Sequence, residues 1–483
     1  MLETYNVLSW VRMQFSSKNC SHFLIAVAVN FIYSCSQAVE VAPPTIGLSS
    51  ATVYSSDNTA AAAVNGIYQG LVNSNIELSG GTYGVPLKFG LASDELRLYN
   101  SDPVLAEYYS NGLEPTNASN ASGWAYYYKY IYHCNAVLEG LEKSTGVTEA
   151  IKRQLKGETL FTRSLLYFYL TNIYGDVPII LSTDYRKNAI VSRSASNKVY
   201  EQIISDLKEA QSLLSDNYST SQGTPTSERL RPNLSAVTAL LSRIYLYSRD
   251  WLNAEAQATL VINNPMYSLP SDLNDVFLKN STEAILQFQP TDAAFNTFDG
   301  YAFILEDNFT SETPTALSTQ LLESFESGDN RFMTWIGKFN NFYFPFKYKV
   351  KGGNVGLEIT EYLMVLRLAE QYLIRAEART QTGQYNLAVD DLNVIRRRAG
   401  LANYSGSIDK TSLLTVILHE RQVELFTEAG HRWFDLKRMG EIDNVMRQVS
   451  PTKGGSWNPN WRLLPIPQSE LLNDPNLTQN AGY

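Results

Sequence analysis

The fold is decided by residues 369–401, which read AEQYLIRAEARTQTGQYNLAVDDLNVIRRRAGL. In the first half, apolar side chains recur at steps of three or four residues, at Ala369, Tyr372, Leu373 and Ala376. That spacing places one apolar stripe along a helix. A second stripe follows after Gly383, a residue type that commonly ends helices, and comprises Tyr385, Ala388, Leu392 and Ile395. We therefore predict two antiparallel helices joined by a short turn, a helical hairpin.

The same hairpin pattern occurs earlier, in residues 234–264, which read LSAVTALLSRIYLYSRDWLNAEAQATLVINN. A constant offset aligns Ala239, Arg243, Tyr247, Trp251 and Ala254 with Leu373, Glu377, Gln381, Tyr385 and Ala388. The small residues Ala376 and Ala388, with Tyr385 between them, resemble the tetratricopeptide pattern, in which small side chains let paired helices approach closely. The two copies are not tandem, because residues 265–361 separate them.

Composition indicates a globular chain with a large core. The protein has 483 residues, of which 44% are hydrophobic and 18% charged. A formal net charge of -9 argues against nucleic-acid binding, which needs clustered Lys and Arg. Aromatic residues make up 12% of the chain and include 30 Tyr, a residue suited both to packing and to binding surfaces.

Cysteine and histidine are too few to suggest a metal or disulfide framework. There are three Cys and four His, without an HExxH or CxxC motif. We expect His419 and His431 to be polar groups on a helix surface. The chain has no P-loop, dinucleotide fingerprint or nucleophile elbow, so we expect no metal, no cofactor and no catalytic residue.

The N-terminal residues have the layout of a signal peptide. Lys18 precedes an apolar run over residues 22–35, HFLIAVAVNFIYSC, which is shorter than the roughly 20 residues of a membrane span. We predict that residues 1–34 are a signal peptide. Met13 would give a more ordinary signal length than Met1 does.

Residues 32–35, Ile-Tyr-Ser-Cys, resemble a bacterial lipobox, whose Cys becomes the lipidated first residue. We predict that Cys35 carries the lipid and that residues 35–56, which include Pro43-Pro44, form a tether. Tyr33 is bulkier than the lipobox pattern prefers. The alternative is an uncleaved or Ser34-cleaved segment in which Cys35 is an ordinary cysteine.

Two long segments lack helical periodicity. Residues 73–123 contain several Gly, three Pro and a polar run, and we predict that they are irregular. Residues 265–361 contain five Pro and short strand-like pieces such as 284–288. Insertions of this kind in a helical-repeat scaffold often carry its binding face. We place the boundary between an N-terminal half, 57–230, and a C-terminal half, 231–483, in a polar linker.

Aromatic residues in these two insertions are the best candidates for a ligand site. A flat ring offers an apolar face to the C–H surface of a sugar, while a Tyr hydroxyl can form hydrogen bonds at its rim. Our ligand-binding candidates are Tyr83, Tyr99, Tyr109, Phe298 and Tyr301. Tyr108, Phe295, Phe303, Phe342, Tyr343 and Phe344 lie in the same insertions.

A charged series near the C-terminus allows two interpretations. It comprises Glu420, Arg421, Glu424, Glu428, Arg432, Asp435 and Arg438. Carboxylates flanking an Arg could be acid–base machinery, as in a glycosidase. The spacing of three or four residues is more typical of ion pairs that stabilise a helix, and we favour that structural interpretation.

Four stretches together resemble the SusD/RagB family of nutrient-uptake outer-membrane lipoproteins. They are residues 157–180, GETLFTRSLLYFYLTNIYGDVPII; the hairpin at 369–401; residues 420–440, ERQVELFTEAGHRWFDLKRMG; and residues 460–483, NWRLLPIPQSELLNDPNLTQNAGY. The matches run from the middle of the chain to its last residue, in the family's order.

The resemblance implies a mainly α fold, with four tetratricopeptide-like hairpins and with irregular and short-strand insertions that form a second face. The hairpins would pair 57–72 with 123–141, 149–174 with 198–214, 233–248 with 251–263, and 362–382 with 385–398.

The resemblance also implies a non-enzymatic, lipid-anchored protein on the outer-membrane surface. Such a protein binds an oligosaccharide, or a peptide as in RagB, and works with a SusC-type TonB-dependent transporter. Two alternatives from other classes are a secreted hydrolase that uses carboxylates such as Glu420 and Glu428, and a scaffold that binds only a protein partner.

Overall fold

Helices predominate in the part of the chain that the computed structural model describes, residues 50–73, 76–292, 294–352 and 358–483. The chain divides into two compact units, Met1–Thr52 and Val53–Tyr483. Every element from Asp57 onward belongs to the second unit. Within the described residues, no helix combines the length and the apolar character that a membrane span requires.

Nineteen α-helices are present in the described residues. In chain order they are α1 Ser50–Val53, α2 Asp57–Val72, α3 Val85–Ala92, α4 Pro103–Ser110, α5 Ala118–Lys143, α6 Glu149–Tyr174, α7 Tyr185–Asn188, α8 Ser196–Leu213, α9 Leu234–Tyr247, α10 Trp251–Ile262, α11 Phe298–Phe303, α12 Thr319–Glu323, α13 Asn330–Trp335, α14 Leu368–Gln381, α15 Tyr385–Arg398, α16 Lys410–Leu425, α17 His431–Met439, α18 Ile442–Val449 and α19 Gln468–Asn473.

The four expected helical pairs are confirmed. Helix α2 packs on α5, α6 on α8, α9 on α10 and α14 on α15. Ala254 and Ala388, the small residues that the internal repeat places at equivalent positions, are both fully buried. Their small side chains let the second helix of each pair lie close to the first.

Buried ion pairs fix these helices to one another. Within the second pair, Arg163 holds Asp206 through two hydrogen bonds of 2.8 and 2.9 Å. Between the third and fourth pairs, Arg243 on α9 binds both carboxylate oxygens of Glu370 on α14, at 2.7 and 2.6 Å. A bidentate pair of this kind fixes orientation as well as distance, so the hairpins have a defined register against each other.

The strands are short and form four two-stranded sheets in the described residues. They are β1 Ile76–Glu77, β2 Tyr83–Gly84, β3 Leu96–Leu98, β4 Ala284–Phe288, β5 Thr315–Leu317, β6 Ile336–Phe339, β7 Phe342–Pro345 and β8 Leu363–Arg367. Strands β1 and β2 are parallel, whereas β3–β5, β4–β8 and β6–β7 are antiparallel. The strand expected at 284–288 is β4, and all five of its residues are buried.

Two boundary predictions are wrong. Residues 73–123 are not irregular throughout, because they contain α3, α4 and the first turns of α5. The polar run before Gly123 supplies the N-cap of α5, since the Asn117 side chain accepts a hydrogen bond from Asn120 N. The fourth hairpin begins at Leu368, not at residue 362, because Leu363–Arg367 pairs with β4 as a strand.

Candidate ligand-binding site

Strand pairing joins the two insertions that the sequence separates by about two hundred residues. Leu96, Arg97 and Leu98 of β3 pair with Leu317, Ala316 and Thr315 of β5. The ladder continues beyond the strands, with Tyr99 N donating to Pro314 O at 2.9 Å and Asn100 Nδ2 to Thr310 O at 3.3 Å. Tyr99 is thereby placed beside the chain that follows Leu305.

The first aromatic group comprises Tyr99, Phe309 and Phe342. The rings of Tyr99 and Phe309 are stacked, with centroids 4.4 Å apart and planes within 8°. Phe342 meets both rings edge-on, at 5.0 and 4.9 Å. Phe309 and Phe342 are half-buried against the small cluster around Ile304, whereas 40% of Tyr99 is exposed. An exposed ring on a rigid aromatic base can stack on a flat apolar surface with little loss of side-chain entropy.

The second aromatic group comprises Phe295, Phe298 and Tyr301. Phe295 lies 5.3 Å from Phe298 and 4.8 Å from Tyr301 between ring centroids. All three side chains are half-buried. Phe298 and Tyr301 belong to α11, whose N-cap Thr297 accepts a hydrogen bond from Gly300 N at 2.9 Å.

The other two candidates, Tyr83 and Tyr109, lie outside both groups in the described part of the chain. The Tyr83 hydroxyl donates to Asp102 Oδ2 at 2.6 Å, and burial together with this bond raises its pKa to about 12. Tyr109 is half-buried beside Lys453, whose Nζ lies 5.5 Å from the ring centroid. Tyr109 lines a separate cleft of about 60 Å³ near the base of β3.

Phe309 belongs to the first group although the sequence pattern does not single it out. It stands alone in the polar run Glu306–Glu312, and no local pattern marks it. Its partners Tyr99 and Phe342 lie about 200 residues before it and about 30 after it. The β3–β5 pairing, together with the packing of β5 on β7, brings the three rings together. Phe309 can therefore be recognised from its three-dimensional contacts but not from the local sequence.

The charged series does not form the ion pairs expected along one helix. Helix α16 ends at Leu425, and the break before α17 contains left-handed residues at Thr427, Ala429 and Gly430, with φ of 50, 51 and 71°. Only Asp435 and Arg438 pair at the expected spacing, at 2.8 Å. Arg421 pairs with Asp435 across this break, and the remaining members pair with elements outside the series. The structural interpretation therefore applies, but the contacts are tertiary and not helical.

Glu420 and Glu424 are buried in this network, and Glu428 is half-buried at its edge. Glu420 Oε1 lies 2.7 Å from Arg331 Nη1, and Glu428 Oε2 lies 2.8 Å from Arg367 Nε. Burial alone would raise the pKa of Glu428, but the Arg367 and Lys347 charges hold it below its ordinary value. Glu420 is fully buried, so its carboxylate cannot reach a polymeric substrate. This geometry gives no support to the hydrolase hypothesis.

The prediction that His419 and His431 are surface groups is also wrong. His431 is buried, and the cost of desolvation, with the Arg243 and Arg421 charges, lowers its pKa well below the usual value. His419 is half-buried, and its Nε2 lies 2.7 Å from Ser324 O. Helical periodicity could not show this, because other elements cover the faces that carry both rings.

The structure bears on a possible metal site but not on the predicted lipid site, because Cys35 lies outside the described residues. Among the residues that the structure describes, no group of three His, Cys, Asp or Glu could hold a metal ion. Cys134 is a free, buried cysteine. The predicted signal peptide, the lipidation site Cys35 and residues 35–49 of the tether lie outside the described residues.

Comparison with known proteins gives two matching family models. One is described as "Starch-binding associating with outer membrane" and matches residues 91–246. The other is the SusD family model, which matches residues 209–483.

Individual relatives are distant but cover most of the chain. A SusD-like protein of Formosa agariphila is 23% identical over 93% of this chain and 97% of its own length. The "Starch-binding protein SusD" of Bacteroides thetaiotaomicron is 22% identical over 71% of this chain and 75% of its own length.

Solved structures agree with the fold. A SusD superfamily protein from Bacteroides vulgatus superposes with a TM-score of 0.76 at 23% identity, covering 89% of this chain and 100% of its own. A "Laminarin binding SusD-like protein" gives a TM-score of 0.73 at 24% identity, with the same coverage. These likenesses confirm the mainly α architecture. Because the SusD family model matches more than half of the sequence, the chain belongs to the SusD family.

Proposed function

We propose that this protein binds a glycan at the cell surface and passes it to a SusC-type TonB-dependent transporter of the outer membrane. The observation that carries the proposal is the pair of aromatic groups on insertions that β3–β5 pairing holds together. Family membership supports the same assignment, since one matching model is described as starch-binding and one structural neighbour as laminarin-binding. The protein would be a binding protein and not an enzyme.

The site residues follow from the geometry of the two groups. Tyr99 offers an exposed ring on the Phe309 base, and Phe298 and Tyr301 offer half-buried ring edges on α11. We keep Tyr83 as a candidate because its hydroxyl is fixed by Asp102 close to the Gly80–Gly81 turn that contacts α11. Tyr109, which lines a separate cleft, is the weakest of the five candidates.

Calorimetric titration with laminarin and with starch tests glycan binding. We expect wild-type protein to bind at least one of them, and Tyr99→Ala to weaken that binding at least fivefold, since stacking of a flat ligand on an aromatic side chain is worth about 1–3 kcal/mol. The matched control is Tyr132→Ala, because Tyr132 is 47% exposed on α5, outside both aromatic groups. Equal loss in both variants would contradict the proposed site.

Binding experiments of the same kind can also identify a ligand of another class. If neither polysaccharide binds but short peptides do, and Tyr99→Ala weakens that binding, the site is a peptide site of the RagB type. If nothing small binds while a protein partner does, the chain is a scaffold.

Attachment to the membrane and to the transporter are tested in cells. We expect wild-type protein in the outer-membrane fraction and Cys35→Ala in the soluble fraction, because lipid chains and not the folded chain would supply the anchor. Pull-down from detergent-solubilised outer membranes should recover a large β-barrel partner. Recovery of the protein alone, without lipid, would contradict both parts of the proposal.

A further inference from the structure

Helix α11 carries one side chain that points away from the aromatic group. Phe298 and Tyr301 contact Phe295, whereas Asp299 between them is 97% buried on the opposite side. Asp299 Oδ1 accepts a hydrogen bond from Gly81 N at 3.0 Å. Gly81 lies 218 positions earlier, two residues before Tyr83, so this bond connects the two insertions.

The chain at Gly80 and Gly81 is shaped to receive this carboxyl group. Both glycines have left-handed backbone, with φ of 76 and 82°. A Cβ at Gly80 would lie 2.9 Å from Asp299 Cγ and closer still to Oδ1, so any side chain there would displace the carboxyl group. Thr82 Oγ1 forms a second link by donating to Glu312 O at 3.2 Å.

On its other side, Asp299 borders a small cavity of about 30 Å³. The titratable side chains that line this cavity with it are Glu77, Glu428, Tyr169 and Tyr348. Glu77 is bonded to Lys88 and to Tyr127, and Glu428 to Lys347 and Arg367, so the neighbouring cations are already paired. No Lys or Arg of the described chain pairs with Asp299. Burial raises the pKa of Asp299 to about 7, with a smaller contribution from Glu428, and outweighs the Gly81 hydrogen bond, which acts in the opposite direction.

We propose that Asp299 is a positioning residue of the ligand site: its uncharged carboxyl group ties α11 to the Gly80–Gly81 turn and thereby sets the position of Phe298 and Tyr301 relative to Tyr83. An uncharged carboxyl group keeps an acceptor oxygen for Gly81 N and avoids an unpaired buried charge beside Glu428. Ionisation would place that charge in a cavity whose cations are already engaged, so the contact opens more readily as pH rises. The proposal rests on the glycan-binding function above.

The size of the pH effect follows from linkage. With a pKa of about 7 in the closed contact and 3.8 when exposed, the opening equilibrium of α11 rises about tenfold between pH 6 and pH 8.5. Asp299→Asn retains an acceptor oxygen and cannot ionise, so its opening should change less than twofold over the same interval. Asp299→Ala has no acceptor and should be open at both pH values.

Hydrogen–deuterium exchange on the full chain measures this opening without any ligand. Peptides covering residues 76–84 and 295–303 are followed at both pH values after correction for intrinsic exchange rates, with residues 368–381 as internal reference. We expect the tenfold rise in wild type and its absence in Asp299→Asn. The same rise in Asp299→Asn, or full protection in Asp299→Ala, would overturn the proposal.

Titration with laminarin or starch at pH 6 then connects the contact to binding. We expect Asp299→Asn to bind within twofold of wild type and Asp299→Ala at least tenfold more weakly. Unchanged affinity in Asp299→Ala would show that α11 does not position the site. If wild type binds neither glycan, the proposed function fails, and the exchange measurement still decides whether Asp299 closes the contact.

Discussion

At the scale of single residues, the most concentrated charge in the described part of the protein surrounds Glu424. Its carboxylate contacts the guanidinium groups of Arg331, Arg367 and Arg398, and it is fully buried. Burial by itself would raise the pKa of Glu424, but these three cations hold it well below the ordinary value. Removing one partner from such a network leaves an uncompensated buried charge, which is strongly destabilising.

Glu424→Gln should therefore destabilise the protein by about 3–5 kcal/mol, the usual cost of breaking a buried ion pair. Urea denaturation followed by tryptophan fluorescence measures the change. The matched control is Glu201→Gln, which breaks the exposed pair with Lys198 and should cost less than about 1 kcal/mol. A loss in Glu424→Gln no larger than in the control would show that the network contributes little to stability.

We expect the buried imidazole of His431 to make the protein less stable in acid. Its folded pKa lies well below 6.5, so the unfolded chain takes up the proton first, and this contribution falls as pH decreases below 6.5. Between pH 7 and pH 5 the effect amounts to at most about 2 kcal/mol, the limit set by protonation of the unfolded imidazole. In His431→Gln, which cannot titrate, the free energy of unfolding should fall by that much less over the interval. Parallel pH profiles for both proteins would contradict the prediction.

At the scale of elements, sequence periodicity indicates the long amphipathic helices and misses the short buried ones. Helices α8 and α15 are predictable because their buried apolar residues recur at helical spacing. Helix α3, with the sequence VPLKFGLA, has no such pattern because all eight of its residues are buried, including Lys88, which is bonded to Glu77. The prediction places Leu363–Arg367 in a helix although it is a strand, because a continuous apolar run does not distinguish the two.

Two glycines of α2, Gly66 and Gly70, test how closely this helix packs on α5. A methyl group added at Gly66 would have no neighbouring atom within 4 Å, so Gly66→Ala should stabilise the protein by up to about 1 kcal/mol through helix propensity. At Gly70 the same methyl group would lie 2.7 Å from Tyr130 Cε1, and that ring is buried against Tyr126. Gly70→Ala should therefore lower the melting temperature while Gly66→Ala raises it. Shifts of the same sign would contradict close packing of α2 on α5.

At the scale of the whole molecule, contacts between distant parts of the sequence determine what the local pattern could not. The candidate residues Tyr99, Phe298 and Tyr301 follow from the sequence because they lie in non-helical insertions. The contact of Tyr99 with Phe309 depends on β3–β5 pairing, and the contact of α11 with the Gly80–Gly81 turn depends on Asp299. Each of these two contacts spans about two hundred residues. Local periodicity carries no information about such pairing. The sequence therefore indicates which segments to consider but not which side chains meet.

One such contact tests whether the predicted halves, 57–230 and 231–483, unfold together. Arg432 on α17 binds Asp94 through two hydrogen bonds of 2.8 and 2.6 Å, and both side chains are buried. The Arg432 charge holds the pKa of Asp94 below its ordinary value, against the opposing effect of burial. Asp94→Ala leaves that charge unpaired, so we expect hydrogen exchange to accelerate both in residues 85–98 and in α17, with one shared shift in melting temperature. Faster exchange in residues 85–98 alone, with α17 as protected as in wild type, would show that the C-terminal half is stable independently of this contact.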